Sequence, residues 1–185
     1  MNNIKVIAVC GLKRCGKDTV CNYIAEHYDY KHEKIAQPLK DICKILFNFT
    51  EDQVEANAKD VIDVNWNITP RSALQFLGTE MFQFKIQELL PDIKRNFWIE
   101  RLRNNIIKNT VISDLRFVHE YRSLHERFGK NLTIIKVIRR DTQTGYIEDT
   151  HVSELEWLEI PEDYLIENNT TIESLHSKIK DIIIM

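Results

Sequence analysis

Glycine and proline are scarce in this 185-residue chain, with five of the former and four of the latter. That scarcity excludes collagen-like, low-complexity and linker-rich architectures, and it makes every turn residue informative. No apolar run approaches the roughly 20 residues of a membrane span, and the first residues show no basic-then-apolar leader. A membrane partner is therefore not expected, and a reducing cytoplasm is the expected setting (host cytoplasm if the source is viral). The formal net charge is −3. No global positive field would recruit a nucleic acid polymer, and any anionic partner must be held by local cations. Cys10, Cys15, Cys21 and Cys43 contain no Cys-x-x-Cys pair from which a zinc site could be built. Small packing thiols are expected, with Cys15 the exception because an anion-binding loop favours thiolate character.

What is present is ordinary for a soluble α/β protein, with 43% hydrophobic and 29% charged residues. The length suits one domain that buries about two-thirds of its unfolded surface. "IKVIAV", Ile4 to Val9, reads as a buried strand. Residues 19–28 read as a helix with Val20, Ile24 and Tyr28 on one face, and 36–47 and 51–62 are helical. Leu74, Leu77, Met81 and Phe84 follow helical spacing, so 71–90 is expected to be one amphipathic helix between Pro70 and Pro91. Residues 97–107 continue as a helix. Strands follow at 110–114, 132–138 and 164–166, with a helix up to Phe128 and a terminal helix carrying Ile172, Leu175, Ile179 and Ile182. Strands alternating with helices predict a three-layer α/β/α fold around a mostly parallel sheet. The expected core is about 1–35 and 108–185, with a helical insertion at about 36–107 and a short lid at about 139–153.

The strongest chemical signal is "VCGLKRCGKDT", in which Gly11-x-x-x-x-Gly16-Lys17 follows a strand and opens a helix. Glycines let the backbone close around phosphate oxygens, and successive N–H groups form an anion nest. The helix start adds its positive dipole end, and Lys17 reaches the β- and γ-phosphates. Gly11, Lys13, Cys15, Gly16, Lys17, Asp18 and Thr19 are therefore the expected ATP contacts. A strict Walker A loop has Ser or Thr directly after the lysine. Here Asp18 intervenes, so Asp18, Thr19 and Asp114 all stand as oxygen ligands for Mg²⁺.

No Asn-Lys-x-Asp motif of the guanine-binding type occurs. Asp114 falls at the carboxyl end of a strand, where it could serve metal or substrate or cap the next helix. Arg116 and Arg71 could each fork onto a phosphate or remain surface charges. Arg139-Arg140 suits a closing lid. Trp98 could stack a base or pack in the core.

With "GLKRCGKDT", "RSALQFLGTEMF", "SDLRFVHE" and "DTHVSE" in hand, the chain resembles the bacteriophage-type deoxynucleoside monophosphate kinases of the adenylate-kinase-like P-loop family. The likeness spans most of the chain and includes the Lys-Asp-Thr that departs from Walker A. It implies transfer of the ATP γ-phosphate to a deoxynucleoside monophosphate, such as dGMP or dTMP, with Mg²⁺. It places Lys17, Lys13, Arg14, Arg139 and Arg140 on the transferring group. Arg71, Gln75, Gly78, Thr79, Trp98, Asp114, Arg116 and Glu120 fall on the acceptor, with His119, His151, Ser153 and Glu154 completing the matched segments. The same arrangement also resembles phosphomevalonate kinase, and a nucleotide sensor without turnover is the reading from another class. The expected partners are small-molecule nucleotides, and monomer and homodimer are both open.

Overall fold

The computed structural model of the chain describes residues 4–55, 57–140 and 156–184. Its elements run β1 (Val6–Cys10), α1 (Lys17–His27), β2 (Lys31–Glu33), α2 (Gln37–Phe47), α3 (Glu51–Glu55), α4 (Pro70–Gln75), α5 (Phe97–Asn105), β3 (Thr110–Ile112), α6 (Val118–Phe128), β4 (Leu132–Ile138), β5 (Tyr164–Glu167) and α7 (Ile172–Ile184). The chain forms two compact units, Met1–Lys34 with Leu102–Met185, and Ile35–Arg101.

The first unit is a three-layer α/β/α domain. Its five strands lie in the order β2-β3-β1-β4-β5, and every pairing is parallel. β1 is buried along its whole length, as an apolar strand covered on both faces must be. Alternation along the strands sorts their side chains between the layers. Ile7, Val9, Ile135 and Val137 join Val20, Cys21 and Ile24 of α1 and Leu175 and Ile179 of α7 in one cluster. Leu124 of α6, fully buried, stands outside that cluster, and α6 packs on β4. Lys136 breaks the apolar run of β4 and is buried to 8% exposure. Its ammonium is satisfied by Glu162 at 2.8 Å and the Leu158 carbonyl at 3.0 Å, as a buried cation requires.

The connections out of β1 and β3 leave in opposite directions. β1 leads to β2 on one side of itself, and the adjacent β3 leads to β4 on the other. Ligands of α/β sheets gather at the carboxyl ends of such a pair.

β2 was not expected. Its Lys-His-Glu sequence carries no apolar signal, because a three-residue edge strand needs only backbone pairing with β3 and is protected by its charges. Strand β1 is displaced by one to two residues from the expected bounds, β3 ends two residues earlier, and α1 starts earlier, at Lys17. Tyr28 lies beyond α1, at its C-cap. Helix is also shorter than expected after Glu51, where a 3₁₀ turn at Asn57–Asp60 follows α3.

The second unit gathers Cys43, Phe49, Val54 and Ala73, with Leu39, Phe47, Ile68, Leu74 and Leu77 packed against them. Pro38 sits in the first turn of α2, where its missing N–H costs nothing. The Thr69 hydroxyl caps α4 by accepting the Ser72 N–H at 3.1 Å.

The expected single helix over 71–90 is not one α-helix. After α4 the chain widens into a π-helix at Phe76–Phe84 and then tightens into a 3₁₀ turn at Lys85–Glu88. The inward face becomes Ala73, Gly78 and Gln83, and Met81 and Phe84 turn outward at 38% and 48% exposure. The indole N–H of Trp98 donates to the Gly78 carbonyl at 3.0 Å. A carbonyl has two lone pairs and can accept this bond beside its place in the helix. Phe82, Phe97 and Trp98 pack around this bond with ring centroids 4.8 to 5.1 Å apart.

This winding makes a stability prediction that the regular helix would not. Met81→Gln should cost no more than about 0.5 kcal/mol, as an outward position does. Ile135→Ala in fully buried β4 should cost about 2–5 kcal/mol. Urea denaturation of the two variants checks both, and a Met81→Gln loss comparable to that of Ile135→Ala would restore the inward stripe.

Candidate active site

The loop between β1 and α1 is shaped by close backbone approach. Gly11 has φ +144°, and a Cβ there would lie 2.2 Å from the Val137 carbonyl oxygen. Gly16, the N-cap of α1, has φ +107°, and a Cβ would meet the Asn168 amide at 2.5 Å. Only glycine satisfies both conditions at either position. The Asn168 side chain, beyond β5, donates to the Cys15 carbonyl at 2.8 Å, and its own N–H reaches the Ile138 carbonyl at 2.8 Å. The loop is thereby tied to the carboxyl ends of β4 and β5. Gly16 offers no side-chain cap, so the first-turn N–H groups of α1 have neither an upstream helical carbonyl nor a capping oxygen. A backbone cradle of this kind suits an anion.

Lys17 lies across the loop, its Nζ donating to the carbonyls of Gly11 at 2.8 Å and Leu12 at 2.7 Å. Lys13 and Arg14 are exposed, and Arg14 takes a positive φ of 64°. Thr19 is half-buried in the first turn of α1. Cys15 departs from its expected role. It is buried to 3% exposure, and that burial pushes its thiol pKa up against the lowering pull of Lys17 and backbone N–H groups. The thiolate is disfavoured, so Cys15 acts as a small packing group under the loop. Cys10 behaves alike, with burial raising its pKa to about 12.

Asp18 is held from two sides. Its Oδ1 meets the Lys34 ammonium at 2.9 Å and accepts the Ser113 hydroxyl at 3.1 Å. Burial acts to raise its pKa, but the hydrogen bonds from Lys34 and Ser113 outweigh it and hold the carboxyl below the ordinary range. Asp114 follows Ser113 directly at the carboxyl end of β3 and is half-buried. Among the described residues no group of three or more His, Cys, Asp or Glu side chains could hold a metal by itself. The oxygens of Asp18, Thr19 and Asp114 are nevertheless the hard donors that Mg²⁺ takes when phosphate oxygens and water complete its shell. The residues present therefore fit both a polyphosphate and a magnesium ion.

Glu120 serves the backbone. It is buried to 6% exposure, and its Oε2 accepts the N–H groups of Arg116 at 2.9 Å and Phe117 at 3.0 Å. That fixes the turn at Arg116 and Phe117, with Arg116 exposed on it and His119 stacked on Phe117 at 5.2 Å. Arg139 and Arg140 are exposed after β4, and Arg140 N–H donates to the Asn169 side chain at 2.7 Å. His151, Ser153 and Glu154, with most of the expected lid, lie outside the described residues.

The remaining expected residues belong to the Ile35–Arg101 unit. The Arg71 guanidinium is forked on Asp60, through Nε to Oδ1 and through Nη2 to Oδ2 at 2.9 Å. Gln75 is exposed, Thr79 half-buried and Gly78 buried. Trp98 is buried to 6% exposure with its N–H on Gly78. The first unit thus brings together Lys17, Asp18, Thr19 and Asp114. The second brings Trp98 to Gly78.

Sequence reasoning missed Lys34, His32, Ser113, Asn168 and Asp60. Ser113 stood beside a noted aspartate, and Lys34 would have followed from recognising β2. Nothing in the sequence marks Asn168.

A glycine cradle at a helix start after the central strand of a 2-3-1-4-5 parallel sheet is the site of a P-loop kinase fold. A shikimate kinase from Acinetobacter baumannii shares this fold, with a TM-score of 0.50 at 13% identity over 98% of this chain and 93% of that one. The sequence profile of the deoxynucleotide monophosphate kinases matches residues 5–67 and 47–179. A protein of Acanthamoeba polyphaga mimivirus named "Putative deoxynucleotide monophosphate kinase" is 31% identical over 94% of this chain and 93% of its own length. The chain belongs to the deoxynucleotide monophosphate kinase family.

Glu120 carries a pH prediction. Burial raises its pKa from 4.5 to about 7, although the N–H groups of Arg116 and Phe117 pull the other way. A raised folded pKa favours the protonated form. Its stabilising contribution is therefore complete below about pH 4.5 and is lost as pH rises through about 7. The shift corresponds to about 3 kcal/mol. Glu120→Gln should remove that slope from urea denaturation measured between pH 5 and 8. Parallel pH profiles of variant and wild type would refute the assignment.

Proposed function

We propose that the chain transfers the γ-phosphate of ATP to the phosphate of a deoxynucleoside monophosphate, with dGMP and dTMP as first candidates, giving ADP and the diphosphate. The observation that carries this reading is the glycine cradle closed over by Lys17 and flanked by Asp18 and Asp114. Family membership supplies the acceptor class.

In-line phosphoryl transfer depends on positioning and charge neutralisation more than on covalent chemistry. The cradle N–H groups and Lys17 hold the donor phosphates. Bound Mg²⁺ supplies further neutralisation of the phosphate oxygens, and the oxygens of Asp18, Thr19 and Asp114 are the groups that would hold it. Lys13 and Arg14, exposed on the loop, bridge donor and acceptor, and Arg139-Arg140 closes from beyond β4. On the acceptor side, Arg71 grips the monophosphate with Gln75 and Thr79 beside it, buried Trp98 braces Gly78 from within, and Arg116 is the phosphate-binding cation that the sheet unit offers. Asp60 orients the Arg71 fork. Glu120 works through the backbone of the Arg116 turn. The Ile35–Arg101 unit is accordingly the acceptor-binding part of the protein.

A coupled ADP-release assay over a panel of ribo- and deoxynucleoside monophosphates and phosphomevalonate tests the reading. Turnover confined to a non-nucleotide acceptor, or none at all, would overturn it. Lys17→Ala should lower the rate about a thousandfold, the scale of losing a preorganised charge on the transferring group. It should also loosen the loop slightly, because two carbonyl contacts go with the ammonium. A rate within tenfold of wild type would remove Lys17 from its role. Arg71→Lys should raise KM for the monophosphate and leave ATP affinity unchanged, since an ammonium cannot reproduce the fork. An equal loss of ATP affinity would assign Arg71 to the other substrate.

A further inference from the structure

Asp18 is the first carboxylate of α1, and its Oδ1 is the end of a hydrogen-bond chain that no motif above accounts for. Ser113, buried to 2% exposure, donates its hydroxyl to Asp18 at 3.1 Å. His32 of β2 brings Nε2 to within 2.8 Å of the same hydroxyl oxygen, and its Nδ1 lies 2.8 Å from the Oδ1 atom of Asn22 on α1. Lys34, two residues on, meets Asp18 from the other side at 2.9 Å. All five residues belong to the Met1–Lys34 and Leu102–Met185 unit.

The hydrogens of this chain follow from donor inventory. An ionised carboxylate only accepts, and a serine hydroxyl has one hydrogen to give. Ser113 therefore gives its hydrogen to Asp18, and its oxygen must accept from His32. His32 consequently carries a hydrogen on Nε2. In the neutral ring Nδ1 can only accept, which requires the Asn22 amide to be turned end for end, with its nitrogen rather than Oδ1 toward the ring. Burial lowers the His32 pKa, although Asp18 acts to raise it, so the neutral ring is the favoured form. If Nε2 were the acceptor, the single Ser113 hydrogen would turn to His32 and leave Asp18 with Lys34 alone.

We propose that His32 and Ser113 are positioning residues that, together with Lys34, fix the Asp18 carboxylate beside the phosphate loop for the divalent cation that accompanies the nucleotide. The inference rests on the kinase reading for its ligand. It assigns a role to β2, whose His32 links Ser113, just beyond β3, to Asn22 of α1. Without the chain, an exposed aspartate after the loop lysine would sample several rotamers and meet the cation in only some of them.

The test compares ATP binding by calorimetry in the presence of Mg²⁺ and in the presence of EDTA. The proteins are wild type, Ser113→Ala, His32→Leu, His32→Gln and Asp18→Asn. Wild type should bind ATP more tightly with Mg²⁺. Ser113→Ala and His32→Leu should lose about threefold to tenfold of that gain, the scale of a weakened hydrogen bond to a charged group. Asp18→Asn should lose at least as much of the gain, and metal-free ATP affinity should stay unchanged in the Ser113 and His32 variants. His32→Gln, which keeps an N–H donor for Ser113, should retain the gain. The proposal is overturned if Ser113→Ala keeps the wild-type gain, if affinity falls equally with and without Mg²⁺, or if wild type shows no gain. A wild type that shows the gain and phosphorylates no nucleoside monophosphate sinks the kinase reading instead, and the binding ratios still decide the role of His32 and Ser113.

Discussion

Where β1 passes into α1, the backbone runs so close to Val137 and Asn168 that neither Gly11 nor Gly16 has room for one further carbon atom. The remaining features of the first unit follow from that crowding. The loop can wrap an anion because its own bulk is minimal. It keeps its shape because Asn168 and the Lys17 ammonium tie its carbonyls from two sides. The parallel sheet is the frame that brings β4, β5 and the loop to the same edge.

Charge is arranged locally in a protein that carries a small net negative charge. Lysines are spent singly on defined partners: Lys17 on loop carbonyls, Lys34 on Asp18, Lys136 on Glu162. The Asp18 carboxylate is not left to repel a polyphosphate unopposed, since it already has a cation and a hydroxyl donor. This reconciles an aspartate after the loop lysine with anion binding nearby.

The legible parts of the sequence were those in which one physical signal dominates. The loop announced itself by glycine spacing between an apolar strand and a helix, and β1, β4 and α7 by burial patterns. The failures share a cause, which is that local pattern was overridden by a distant partner. β2 exists because β3 offers it a ladder, and no property of Lys31, His32 or Glu33 reveals that. The 71–90 stretch has the spacing of an α-helix, but it winds as a π-helix where an indole twenty residues away bonds the Gly78 carbonyl, and Met81 and Phe84 end on the outside. Cys15 sits in an anion loop, as its position suggests, but the fold turns its sulfur inward, so desolvation defeats the nearby positive charge. Glu120 belonged to a recognisable motif, yet its carboxylate holds backbone, a distinction visible only once the turn before α6 is seen.

The four cysteines, all free and buried, have a practical consequence. A thiol that cannot reach solvent reacts with an alkylating reagent only when its surroundings open, so labelling rate becomes a local clock of unfolding. Cys10, Cys15 and Cys21 lie in the sheet unit, and Cys43 lies in the core of the Ile35–Arg101 unit. The protein therefore carries built-in reporters for each unit, distinguishable by peptide mass. They would show which unit yields first without any foreign label in the chain.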